Sequence, residues 1–375
     1  MPSVLLIAGE SSGEEHALSF FPELKALRPD LTFWGVAGDR LQQQGVELLY
    51  HLRDFSSMGF TEVIGKIPFY RAALERLEAE AIRRNTKDAI LVDFQDFNLR
   101  LAQRLARRGI RVWYYVAPQA WAWRPWRAQT LAKTVHRLFT ILPFEETWFR
   151  ERGVRQVTPV PHPLTKNWES ALVKLLSRPW SERLLIKPRL MLLPGSRRSE
   201  VGPLLPAFIE TVKLLKHEIP ELHVTLSKVD HINPGFYDCA RAYVDEWITA
   251  EELPQKLLFA DAALAASGTV TLGTGMMRVP TVVAYQSSLV NEFIVRKLVG
   301  YQRPVSLTNL VLDKVVFPEY LQQAMQPSLM ARSVLSWWKN RVLWEDLQAD
   351  LASLQSQLCH GEQAVGALMA QEMSR

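Results

Sequence analysis

The 375 residues are 48% hydrophobic and 22% charged, which excludes a disordered chain, and the length suits two cores better than one. The net charge of +5 favours an anionic partner; zinc-finger spacings and aromatic–basic strand signatures are missing, so no nucleic acid is expected and a phosphate or lipid ligand is favoured. Cys239 and Cys359 stand far apart, which argues against a disulfide framework or a zinc motif, and nothing in the residues calls for a metal or cofactor.

The first predicted element is a strand over Val4 to Ala8, with neither the basic flank nor the cleavable apolar core of a signal peptide, so a cytoplasmic protein is expected. It enters Ala8-Gly-Glu-Ser-Ser-Gly-Glu-Glu-His16, which matches neither a dinucleotide fingerprint nor a P-loop. That loop reads as a ligand loop or as a turn with acids at a helix N-terminus. Strands follow at Leu31 to Val36, Ala89 to Val92, Val112 to Val116, Leu138 to Leu142 and Val157 to Val160. Their alternation with helical stretches predicts a parallel sheet with helices on both faces. Leu52 to Arg76 mixes Met58, Phe60, Val63, Ile64, Ile67, Phe69 and Tyr70 with Lys66, Arg71 and Arg76. An amphipathic membrane-surface segment has this composition, and so has a helix packed on a sheet with its basic side in water. Asp93 closes the strand Ala89 to Val92, where burial raises a carboxyl pKa and makes a usable base, while Asp96 reads as a cap of the next helix. Tyr115 to Arg127 gathers Trp121, Trp123 and Trp126 with Arg124 and Arg127, suited equally to sugar faces and phosphates or to bracing two domains.

A first domain over residues 1–165 is followed by a polar crossover at 166–187, and a second sheet is expected over 188–330. Its strands are Leu190 to Leu193, His223 to Leu226, Leu257 to Phe259, Ala262 to Ala265 and Thr281 to Ala284. The most apolar long stretch, Leu257 to Tyr285, contains Asp261, Arg278 and Pro280, which makes it a poor membrane span, so any membrane contact is peripheral. After Leu193, Pro-Gly-Ser-Arg197 reads either as a phosphate grip or as an ordinary turn: Gly195 permits the sharp bend, and Arg197 suits a diphosphate bidentately. Ser267-Gly268-Thr269, after Asp261 to Ala266, opens a second helix start, where Ser267 is a donor to the ligand or simply a cap. Helical periodicity runs from about Pro318 to Ser374, with terminal helices over 331–375.

Taken in order, nine blocks resemble the motifs of the lipid-A-disaccharide synthases, inverting GT-B glycosyltransferases, over nearly the whole chain. They are Ala8-Gly-Glu-Ser-Ser-Gly13, Gly35-Val-Ala-Gly38, Met58-Gly-Phe-Thr-Glu-Val63, Asp93 to Asn98, Tyr115 to Arg124, Leu142-Pro-Phe-Glu145, Leu193-Pro-Gly-Ser-Arg197, Ala266-Ser-Gly-Thr269 and Val305-Ser-Leu-Thr-Asn309. The resemblance implies an α/β GT-B fold: two Rossmann-like parallel-sheet domains facing a central cleft, the first for the acceptor and the second for a UDP-sugar, with C-terminal helices. It implies a metal-independent transfer from UDP-diacylglucosamine to diacylglucosamine 1-phosphate, forming the β-1,6-linked disaccharide and releasing UDP. The work would be done at the inner face of the cytoplasmic membrane, with Phe60, Val63, Ile64, Ile67, Phe69 and Tyr70 as the acyl or membrane contact.

Carried over residue by residue, Asp93 matches the base and Arg197 the phosphate-binding arginine, joined by Gly195, Ser196, Ser267, Gly268, Thr269 and Asn309 on UDP. Glu10, Ser12 and Gly13 match the acceptor loop, Glu14 follows where the family has an aspartate and keeps its charge with a longer reach, and Trp121, Trp123 and Arg124 stand beside the loop. The chain departs from the family at Gly273, where a ribose-binding glutamate is usual, and at Phe94-Gln95 next to the proposed base. Two alternatives stand beside an active synthase: a divergent GT-B paralogue with another acceptor, and a non-catalytic membrane-associated paralogue. The terminal helices either pack back on the chain or form a homodimer interface.

Overall fold

Val4 to Ala8 and Ala89 to Val92 carry no polar side chain, the pattern of strands covered on both faces, and they pair as central neighbours of a parallel sheet. The computed structural model describes residues 2–55, 66–175, 177–286, 304–362 and 364–373. The chain divides into two units, Met1–Asn167 with Leu358–Arg375, and Trp168–Gln357.

The first unit contains β1 (Ser3–Ala8), β2 (Thr32–Ala37), β3 (Val46–His51), β4 (Asp88–Val92), β5 (Arg111–Tyr115), β6 (Arg137–Thr140) and β7 (Val157–Pro159). They form one parallel sheet in the order β3-β2-β1-β4-β5-β6-β7. Helices Ile67–Arg83 and Gln95–Arg107 place Leu74, Leu77, Leu101 and Leu105 in one buried cluster with Leu5, Ile7 and Leu91. Helix Val365–Met373 packs on helix Phe21–Leu27 within this unit.

The second unit contains β8 (Arg189–Leu193), β9 (His223–Ser227), β10 (Glu246–Ile248), β11 (Ala262–Ala266), β12 (Thr281–Tyr285) and β13 (Glu319–Leu321), parallel in the order β10-β9-β8-β11-β12-β13. Alternation along β8 sends Leu190 and Leu192 into a core with helices Arg198–Glu218 and Pro327–Lys339, and Met191 and Leu193 into a second core with Trp168, Ala171 and Leu253.

Four elements differ from expectation. Leu257 to Phe259 is no strand: Leu257 ends the short helix Leu253–Leu257, which carries Pro254 in its first turn, and a three-residue apolar run has no period that separates strand from helix. The strands β3, β10 and β13 were not predicted. All three are sheet edges whose side chains, apart from buried Val46 and Ile248, are polar or at least partly exposed, so they lack the continuous buried apolar run that marks a central strand. Glu319–Leu321 thus interrupts the expected C-terminal helical stretch.

Candidate active site

In each sheet the strand order reverses once, between β1 and β4 in the first unit and between β8 and β11 in the second. Crevices at the carboxyl ends of such strands are where open parallel sheets bind ligands. The loop from Gly9 follows β1 and Asp93 follows β4; the turn from Pro194 follows β8 and Ser267 follows β11. Four of the loops singled out in the sequence therefore lie at a switch point, while the Tyr115 to Arg127 loop follows β5, one strand away.

Asp93 leaves the fully buried β4 in an unusual conformation: its φ is 47° and that of Phe94 is 46°. A non-glycine residue held there costs about 1–3 kcal/mol, which surrounding bonds must offset. The Asp93 N–H donates to Tyr115 O (3.0 Å), and its carbonyl accepts from Asn98 Nδ2 (2.9 Å) and from the Tyr114 hydroxyl (2.9 Å). Burial, and then the charge of Glu10, push the Asp93 carboxyl up to about 6, against a backbone hydrogen bond at Phe94 that favours the ion. Such a group is ionised at neutral pH yet basic enough to take a proton.

The Phe94 ring lies over Gly9, where a Cβ would stand 2.6 Å from the ring. It also contacts Phe55 (5.7 Å between centroids) and Phe97 (5.4 Å) in an aromatic cluster. Of the residues expected to touch membrane or acyl chains, Phe69 and Tyr70 join this cluster, the Tyr70 hydroxyl donating to Phe55 O, while Ile67 is exposed. Phe60, Val63 and Ile64 lie outside the described residues.

Glu10 and Ser12 are exposed at the start of helix Ser11–Leu18, and Gly13 is buried against Ala8 and Val92. Glu14 turns inward instead: its carboxylate accepts the Leu41 N–H (3.0 Å) and fills the space that a side chain at Gly38 would need. Asp96 forms no cap; it pairs with Arg124 (2.9 Å) and with the buried Arg127, which also bonds Gln95. The tryptophan-rich loop is thereby pinned to helix Gln95–Arg107. Trp121 donates its indole N–H to Glu145 (3.0 Å), a fully buried carboxylate that also accepts the N–H groups of Ile141 and Leu142. Burial pushes Glu145 up to about 7, with those donors opposing the shift. The Trp123 side chain is outside the description.

In the second unit Gly195 adopts φ 102°, and the turn encloses the Glu200 carboxylate, which accepts the N–H groups of Ser196 (2.9 Å) and Arg197 (3.2 Å). Glu200 also meets the Arg197 guanidinium at 3.1 Å, leaving that side chain 74% exposed. The turn has the donors of an anion grip, and its own glutamate holds them. Ser267 is not the helix cap: its hydroxyl donates to Val305 O (2.9 Å), while Gly268 leads into helix Thr269–Met276 and Thr269 is exposed. Asn309 is fully buried, its amide donating to Phe317 O and Glu319 and accepting from Val316 and Phe317 N–H. Both of its ends serve the protein, so it braces the loop rather than presenting a group to UDP. At Gly273 any side chain would run into the indole of Trp168. Sequence reasoning missed Glu200, Trp168 and Tyr114; only the acid three residues after Arg197, the spacing of a capping box, was a readable signal. Among the described residues no three His, Cys, Asp or Glu side chains gather as a metal-binding group.

Two Rossmann-like parallel-sheet units, each with its polar loops at the switch point, define a GT-B-type protein. The fold is similar to that of UDP-GlcNAc 2-epimerase from Neisseria meningitidis bound to UDP-GlcNAc (TM-score 0.56, 9% identity, all of both chains). It is also similar to the calicheamicin glycosyltransferase CalG4 (TM-score 0.59, 12% identity, 100% of this chain and 97% of that one). The lipid-A-disaccharide synthetase family model matches residues 4–363, and the chain belongs to that family. Its relatives include the lipid-A-disaccharide synthases of Myxococcus xanthus (39% identity, 95% of this chain and 93% of the relative) and Anaeromyxobacter dehalogenans (35%, 99% and 96%).

Proposed function

We propose that the protein is an active lipid-A-disaccharide synthase that joins UDP-2,3-diacylglucosamine to 2,3-diacylglucosamine 1-phosphate through a β-1,6 bond and releases UDP. The observation that carries the reading is the Asp93 carboxyl, held at the end of β4 and pushed up to about 6, in a chain of this family. Asp93 takes the proton of the acceptor's primary hydroxyl as that oxygen forms a bond to the anomeric carbon. The bond from that carbon to UDP breaks in the same displacement, which inverts the centre. Residues 1–165 hold the acceptor, with Glu10, Ser12 and the Trp121 loop beside it; residues 188–330 hold the nucleotide. Arg197, still 74% exposed beside Glu200, swings from that carboxylate to neutralise charge growing on the departing diphosphate, and the Ser267-Gly268-Thr269 turn donates hydrogen bonds to it, a contribution of about 10²–10³ in rate for one such donor.

No helix of the described residues is long and apolar enough to cross a membrane. The acylated substrates place the enzyme peripherally on the inner face of the cytoplasmic membrane, with exposed Ile67 beside Lys66 and Arg71 as the contact. Retained Asp93 and Arg197 favour this reading over a non-catalytic paralogue. The test is incubation with both acylated substrates and mass detection of the disaccharide. Product from the wild type and only a residual rate, orders of magnitude lower, from folded Asp93→Asn and Arg197→Ala are expected; full activity in either variant would sink the assignment.

A further inference from the structure

We propose that Asn98 and Tyr114 are positioning residues for the transfer, holding the turn that aims the Asp93 carboxylate. The proposal rests on the reading of Asp93 as the base. Backbone strain is concentrated behind that carboxylate. Seven described non-glycine residues have positive φ, and three of them, Asp93, Phe94 and Val116, stand at the adjoining ends of β4 and β5. Val116 is β-branched, the type that tolerates this region least. Clusters of this kind persist only where the surroundings over-determine them, and they mark functional sites.

The surroundings here are two side chains. Asn98 is fully buried, and its Nδ2 donates both to Val92 O (3.2 Å) and to Asp93 O (2.9 Å). Its Oδ1 is buried without a hydrogen-bond partner, and turning the amide over would set that oxygen against two carbonyls. An amide with one end left unbonded is a poor device for stability alone. Tyr114, also buried, reaches from β5 to give its hydroxyl hydrogen to Asp93 O (2.9 Å). With the Asp93 N–H bonded to Tyr115 O, the peptides on both sides of the Asp93 Cα are fixed, so the carboxylate direction is fixed except for side-chain rotation. Neither residue needs to touch substrate to do this.

Tyr114→Phe keeps the buried ring and deletes one of the two donors. In the disaccharide assay its kcat should fall at least tenfold, with KM for donor and acceptor within twofold of wild type and the acid limb of the rate unmoved. Asn98→Ala should behave alike; if it does not fold, Tyr114→Phe alone carries the test. In the Asp93→Asn background, adding Tyr114→Phe should leave the residual rate within twofold. A kcat within twofold of wild type for folded Tyr114→Phe, a loss confined to KM, or an equal further loss in the double variant would overturn the positioning role. A wild-type kcat in Asp93→Asn alone would instead remove the base itself, and both readings with it.

Discussion

Replacing Asp93 with asparagine should stabilise the protein while removing its activity. The carboxyl titrates near 6 in the folded chain against an ordinary value of 3.8, a difference of about two pH units at about 1.4 kcal/mol each. The native state binds this proton more tightly than the unfolded chain does, so ionisation is a penalty on the fold. It is complete above pH 6, shrinks as the pH falls towards 3.8 and is gone below that. Its upper bound is about 3 kcal/mol, lowered by the water that Asp93 still meets. Asparagine carries no charge at any pH and tolerates the left-handed backbone found there, so the turn survives. At about 2–4 °C per kcal/mol for a unit of this size, Asp93→Asn should melt several degrees above wild type at pH 7.5, and most of that gain should be lost at pH 4. Thermal unfolding of both proteins at the two pH values, beside the disaccharide assay, measures this. An equal difference at both pH values, a lower melting point at pH 7.5, or a wild-type rate whose acid limb lies near pH 4 would refute the reasoning.

Glu10→Gln removes the charge that adds to burial in raising the Asp93 pKa, so the acid limb of kcat/KM should move to lower pH; a pH–rate profile that stays in place would contradict the link. Glu145→Ala leaves the N–H groups of Trp121, Ile141 and Leu142 without their shared acceptor, and chemical denaturation should show a loss of about 2–4 kcal/mol. Gly273→Ala gains about 1 kcal/mol in helix propensity but drives a methyl into the Trp168 indole, so a net loss of about 1–2 kcal/mol is expected. The same change made with Trp168→Ala should reverse sign in a double-mutant cycle.

Much of the site was legible because strand ends are legible. A buried parallel strand is an apolar run, and the polar residue that ends it stands at the ligand face; Asp93, Gly195 and Ser267 were found in that way. Side-chain direction was not legible. Asn309 and Asp96 sit inside the matched motifs and Glu14 directly after one, yet each is bonded to protein: Glu14 to Leu41, Asn309 to Phe317, Asp96 to Arg124 and Arg127. Nor was Trp168, which lies far from Gly273 in sequence and fills the space beside it.

The order of residues thus carried the two-sheet architecture, the loops at the strand ends and the family, since all three depend on local apolar runs and short contiguous motifs. Only the tertiary structure decided which acids face solvent and which are consumed by backbone N–H groups, because hydrogen bonds and burial join residues distant in the chain. The Pro194 to Arg197 turn lies on that boundary: its grip-like shape is written in four consecutive residues and the capping-box spacing of Glu200 is written three residues on, but only the structure shows that carboxylate holding the N–H groups of Ser196 and Arg197.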